Sequence, residues 1–180
     1  AGNWVLETEI VAPADVTKVG IQQFEYFDHL LSVTLHDNIT VIDRAAFATC
    51  NQLKEFTIPK GVTTLGMYAF HNNTAMEVLN IEATNLGDLV YKNYTFQNLG
   101  LNVANGVTVN FGEFVTRVPA YLFNSTDSTT GSPNITKVDF TGSLCRYIEH
   151  RSFEYINSIK EIYFALCTGI DFIGEAAFNN

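Results

Sequence analysis

Four histidines and three cysteines are the residues of this chain best able to do chemistry, and their spacing limits what they can do. His29, His36, His71 and His150 are far apart and show no HxxxH or HExxH pairing, whereas a tetrahedral metal site needs ligands that converge on one point. They read as surface histidines. Asp28 precedes His29 and Asp37 follows His36, but neighbours on a strand face opposite ways, so neither pair is a good general-base arrangement. Cys50, Cys145 and Cys167 are odd in number and lack a CxxC spacing. This argues against a disulfide framework and against a thiolate zinc site, and the three read as buried apolar fillers. No GxSxG elbow, phosphate loop, dinucleotide glycine fingerprint or calcium-loop motif occurs. The expectation is a protein with no catalytic residues, no cofactor and no metal.

The remaining chemistry is aromatic. Tyr68, Tyr94 and Tyr121 each occupy the seventh place of a nine-residue unit that recurs along the chain: VTKVGIQQF at 16–24, ITVIDRAAF at 39–47, VTTLGMYAF at 62–70, VTRVPAYLF at 115–123, CRYIEHRSF at 145–153 and IDFIGEAAF at 170–178. A degenerate copy, DLVYKNYTF, fills 88–96. The units end in Phe24, Phe47, Phe70, Phe96, Phe123, Phe153 and Phe178, at intervals of 23 to 30 residues. Such a period is the signature of a solenoid. Cys145 and Cys167 lie about one period apart, which leaves a bridge between them open.

After each Phe come apolar residues spaced two apart: Leu53, Phe56 and Ile58, or Met76, Leu79 and Ile81, or Ile135, Val138 and Phe140. Period-two spacing marks a half-buried strand, with Thr34, Thr57, Asn80, Thr108, Asp139 and Tyr163 on its wet face. Each coil is expected to hold a short extended segment, a tight helical or 3-10 turn around the AAF-like part, and a strand. Gly20, Gly66 and Gly174 stand at place five, where a turn leaves a side chain unwelcome; Asp43, Pro119 and Glu149 stand there in other coils. Stacking the coils turns the seven phenylalanines into a ladder through one core, and it makes the three tyrosines a candidate ligand-binding strip. The competing reading of the strip is amphipathic rings packed against the next coil.

The chain has 180 residues, 47% hydrophobic and 16% charged, with ten Lys and Arg against nineteen Asp and Glu for a formal charge of -9. It reads as one folded unit. The charge repels phosphate backbones and anionic membranes, and no apolar run approaches the length that crosses a bilayer, so neither nucleic acid nor membrane insertion is expected. Five N-x-[ST] sequons, at Asn38, Asn72, Asn93, Asn124 and Asn134, matter only in a secretory pathway that glycosylates them.

The run ITVIDRAAFATCNQLKEFTIPKGVTTLGMYAF closely resembles the BspA-like leucine-rich repeat, whose pattern is roughly VTxIGxxAFxxCxxLxxIxIPxx, and the match covers 16–178. The coils at 39–81 fit almost place for place, including Cys50 and Pro59, while those at 86–111 and 124–141 depart through insertions and carry Leu99 and Thr126 at the Cys place. The resemblance implies a β-rich α/β repeat solenoid, a right-handed stack of about seven coils over 16–180 with an incomplete last coil. Residues 1–15, with Trp4, Val5, Leu6 and Ile10, read as an N-terminal cap segment. The incomplete coil points to a fragment of a longer protein, or to self-association through that end. The resemblance also implies secretion or display at the surface of a host-associated microbe, and attachment to a host protein or glycan. It supplies no catalytic residues. Two functions follow: an extracellular adhesion or ligand-binding module, or a structural spacer in a larger surface protein.

Overall fold

Alternation of apolar and polar residues produces strands whose inner side chains are buried and whose outer ones are wet, as in Glu55–Ile58, where Phe56 and Ile58 are buried and Glu55 and Thr57 exposed. The structure, a computed structural model, describes residues 8–125, 131–164 and 169–179. In chain order its strands are β1 (Glu9–Val11), β2 (Lys18–Val19), β3 (Ser32–Thr34), β4 (Val41–Ile42), β5 (Glu55–Ile58), β6 (Thr64–Leu65), β7 (Val78–Ile81), β8 (Val107–Phe111), β9 (Arg117–Val118), β10 (Ile135–Asp139), β11 (Tyr147–Ile148), β12 (Glu161–Tyr163) and β13 (Phe172–Ile173).

Every pairing is parallel and joins one coil to the next. A five-stranded sheet runs in the order β12-β10-β8-β7-β5, and β1 pairs with β3 beside it. The two-residue strands form a second row, split into β2-β4-β6 and β9-β11-β13. Register is strict in the wide sheet: Thr57 lies beside Asn80, Asn80 beside Asn110, Asn110 beside Asp139 and Asp139 beside Tyr163. A bulge between Ile135 and Lys137 takes up one extra residue.

The core is a column of rings. Phe24, Phe47, Phe70, Phe96, Phe123, Phe153 and Phe178 follow one another at centroid spacings of 5.3, 5.7, 5.4, 4.9, 5.3 and 5.1 Å. The five inner rings are buried and the two outer ones half-buried. A second, shorter column joins Phe111, Phe140 and Phe164. Offset stacking of this kind adds about 0.5–1.5 kcal/mol per pair beyond the area buried.

The expected helical or 3-10 turns are replaced by a succession of tight turns, and there is no helix among the described residues. The cause is backbone handedness. Place seven is left-handed in Gln22, Ala45, Tyr68, Tyr94, Tyr121, Arg151 and Ala176, with φ between 52° and 62°. Four residues on, Tyr26, Thr49, Asn72, Asn98 and Tyr155 are left-handed again. A right-handed helix needs an unbroken run of negative φ. The alternation instead aims every second N–H at the next coil: Ala45, Phe47 and Thr49 donate to the carbonyls of Met67, Ala69 and His71 at 2.7–2.9 Å. The N–H groups freed from a helix are satisfied between coils.

Place five also differs in its reason. Gly66 and Gly174 do not have positive φ; a Cβ on either would come within 2.3 Å of a backbone nitrogen in the preceding coil, of Arg44 and of His150 respectively. Gly20 has only Gln23 Oε1, at 3.4 Å. The glycines permit close coil-to-coil approach and are not needed to make a turn.

Cys50 is fully buried and its Sγ donates to the Phe24 carbonyl; burial pushes its thiol up to about 12. One coil on, the same place holds Asn73, also fully buried. Its Nδ2 donates to the Phe47 carbonyl at 3.0 Å and its Oδ1 accepts from Cys50 N–H at 2.9 Å. Cys145 is buried; Cys167 lies outside the described residues, as do Trp4, Val5, Leu6 and Thr126. Ile10 on β1 packs, partly buried, against the core.

Candidate functional site

Place seven lies on the turn face with a left-handed backbone; its tyrosines are half-buried there, Tyr121 packs against the core, and Ala45 is buried. Tyr68 and Tyr94 are half-buried there and stack on each other, 5.6 Å between centroids and 8° between planes. Tyr121 makes different contacts: Tyr91 at 6.1 Å and 57°, and the edge of His150 at 4.9 Å and 87°. The structure thus brings two of the three strip tyrosines into one stack and sets the third in a neighbouring aromatic group. Tyr91 is 47% exposed, and Tyr147, 43% exposed, lies on β11.

His71 stands edge-on to Tyr68 at 5.3 Å, and its Nδ1 is buried without a hydrogen-bond partner. Desolvation lowers its pKa below the ordinary value of 6.5. His36 Nε2 lies 2.7 Å from the Pro13 carbonyl oxygen, and His29 and His150 are exposed. No group of three His, Cys, Asp or Glu that could hold a metal occurs among the described residues.

Beside Tyr68 opens a cavity of about 310 Å³. It is lined by Ala45 and Ala48, by Tyr68 and His71, and by Gln22, Glu25, Arg44 and Gln97. A larger cleft of about 580 Å³ lies where the chain enters β8, between Lys54 and Glu77 on one side and Asn102 and Asn105 on the other.

Beside Asn80, Asp139 and Tyr163, the wide sheet carries Glu55, Asn110 and Lys137, which the sequence pattern alone did not single out. Asn110 Nδ2 donates to Asn80 Oδ1 at 2.8 Å, and Asn80 Nδ2 donates to Glu55 Oε1 at 2.9 Å. Next along the row, Lys137 Nζ is 3.1 Å from Asp139 Oδ2 and 4.6 Å from the centre of the Tyr163 ring. The Asp139 contact raises the Lys137 pKa. Tyr163 donates its hydroxyl to Glu161 at 2.8 Å, which raises its own pKa. The clue was the recurrence of amide and acid at outward strand places, but the insertions before β8 and β10 hide which of them align.

A family model described as BspA type Leucine rich repeat region matches in six copies over residues 6–130 and 92–180. The chain belongs to that family. Among solved structures, this BspA-type repeat protein is similar to a leucine rich cell surface protein from Faecalibacterium prausnitzii A2-165, at 16% identity over 87% of this chain and 59% of that one, with a TM-score of 0.43. It is also similar to a leucine-rich repeat protein from Bacteroides ovatus ATCC 8483, at 18% identity over 95% of this chain and 63% of that one, TM-score 0.32. The BspA-type chain therefore spans less than two thirds of the length of either. Comparison with curated proteins gave no match. No enzymatic family is indicated by these matches, and no helix among the described residues is long and apolar enough to cross a membrane.

Proposed function

We propose that the chain is a non-enzymatic ligand-binding or adhesion module at the cell surface or outside the cell, recognising a host protein or glycan. The observation that carries this reading is the half-exposed Tyr68–Tyr94 stack, held on a frame whose coils are tied by ring, strand and turn contacts at once. Rigidly placed aromatics give contact area at low conformational cost. The family and the description of one structural relative as a cell surface protein support the location. In this reading the phenylalanine column serves only to hold the coils in register.

The test is binding of the chain to an array of matrix proteins and glycans. Replacing Tyr68, Tyr94 and Tyr121 together with Ala is expected to weaken any hit at least tenfold while the fold persists. Alanine is acceptable at these left-handed places, since Ala45 and Ala176 already occupy them with φ of 52° and 55°. Unchanged affinity in the folded triple variant removes the tyrosines from the site. A clean negative across the array favours a spacer in a larger surface protein.

A further inference from the structure

Place seven along the first coils reads Gln22, Ala45, Tyr68, Tyr94, so the stack of side chains on the turn face lacks one member. Where Ala45 stands there is only a methyl group, and Tyr68, with His71 edge-on to it at 5.3 Å, lines the 310 Å³ cavity there. The opposite wall is Gln22, two coil steps from Tyr68, and those steps measure 5.3 and 5.7 Å in the neighbouring phenylalanine column. A ring spaced from each wall as Tyr94 is from Tyr68, 5.6 Å between centres, fits that gap once.

The rim defines the ring. Glu25 offers a carboxylate, Gln22 and Gln97 offer amides that both donate and accept, and Arg44 offers a guanidinium. Gln22 Nε2 already donates to Glu25 Oε2 at 2.5 Å, which ties these two lining groups together. An aromatic side chain from a protein partner would cover these groups and satisfy none of them, at a cost for each polar group left unpaired. A pyranose has an apolar C–H face for Tyr68 and a belt of hydroxyls for the rim. We infer that this slot takes one pyranose ring of a glycan, stacked on Tyr68 and hydrogen-bonded by Glu25, Gln22 and Arg44. The inference rests on the surface-binding reading and narrows it to a sugar at a stated place.

The probe is a panel of free methyl glycosides of glucose, galactose, mannose, fucose and N-acetylglucosamine, with N-acetyltyrosine amide as the aromatic competitor, followed by saturation-transfer NMR. At least one glycoside is expected to bind through its ring C–H groups. The deciding variant is Ala45→Tyr, which fills the slot with the residue the fold itself places at Tyr68, Tyr94 and Tyr121 with φ of 62°, 53° and 57°. It is expected to remain folded and to lose the glycoside at least tenfold. Glu25→Ala, which leaves the slot open, is expected to weaken the same sugar. Failure of every glycoside to bind, binding of N-acetyltyrosine amide in their place, or a sugar signal untouched by Ala45→Tyr each overturns the slot. Array binding that survives Ala45→Tyr leaves the broader surface-binding reading standing while the slot falls.

Discussion

The two rows of strands that run along the stack respond differently to the same irregular coil. The wide sheet continues through it: Gly100 and Gly106, with φ of 66° and 70°, turn the extra residues aside before β8, and β8 pairs with β7 in full register. The short row stops. Val90 and Tyr91, which stand where Thr64 and Leu65 do in their unit, are both exposed, 64% and 47%, and no strand forms there. Single backbone bonds, Gly87 N–H to the Thr63 carbonyl at 2.9 Å and Leu89 N–H to the Ala120 carbonyl at 3.0 Å, and one side chain bridge the gap instead. The Asp88 carboxylate accepts the Ala120 N–H at 2.9 Å and a hydrogen bond from Arg117 Nη2 at 2.6 Å. The phenylalanine column passes the defect unbroken, from Phe70 through Phe96 to Phe123. Core rings therefore hold the pitch, and the two-residue strands are the part that can be interrupted.

If the rings hold the pitch, removing one should damage both rows. Phe70 is fully buried between Phe47 and Phe96 and meets Phe56 edge-on at 4.7 Å. Phe70→Ala is expected to cost about 3–5 kcal/mol in urea unfolding, with hydrogen exchange rising in β5, β7, β4 and β6 together. A loss below about 1 kcal/mol would remove the column from that role.

A perturbation confined to the short row should cost less. Gly66→Ala forces a Cβ against the Arg44 backbone and is expected to lose about 1–3 kcal/mol as overpacking, with faster exchange at β4 and β6 and little change in β5 and β7. Gly20→Ala, which meets nothing closer than 3.4 Å, is expected to stay within about 0.5 kcal/mol. Equal losses at the two glycines would show that the cause is not the coil beneath.

The smallest effect is electrostatic. Burial pushes the Asp88 carboxyl up, but the Ala120 N–H and Arg117 outweigh it and hold its pKa below the ordinary 3.8. A carboxylate whose folded pKa is depressed contributes stability above its unfolded pKa and loses it as pH falls through the folded value. Asp88→Asn is expected to lower stability by less than about 1 kcal/mol at pH 7, since the carboxylate is half-exposed, and the gap between variant and parent should narrow below the ordinary pKa of 3.8 and close only at a pH under the folded value. A gap that persists there would assign the effect to the lost Ala120 bond geometry.

The period, the phenylalanine places and the paired apolar residues of the strands were legible because they repeat, and burial requires them to. The turn face was not. Nothing in the letters of Ala45, Tyr68 or Arg151 announces a left-handed backbone, which the neighbouring coils impose through their carbonyls, so a helical turn was the natural reading of an AAF segment. That Asn73 does the work of Cys50 was not legible either: both side chains donate to a phenylalanine carbonyl one coil back. The tyrosine strip was visible as a spacing, but its grouping into Tyr68–Tyr94 and Tyr91–Tyr121–His150 depends on the irregular coil between them.

The three sets of backbone bonds between coils, in the wide sheet, the short row and the left-handed turns, all point along the axis of the stack. Tension applied along that axis meets them end-on, so they open one coil at a time, each boundary yielding on its own because contacts are between neighbours. A coil of 23 residues that occupied a step of 5.3–5.7 Å in the column adds about 70–75 Å of length when it comes free. Under load the stack behaves as a store of slack, released in unequal lengths set by where the insertions fall.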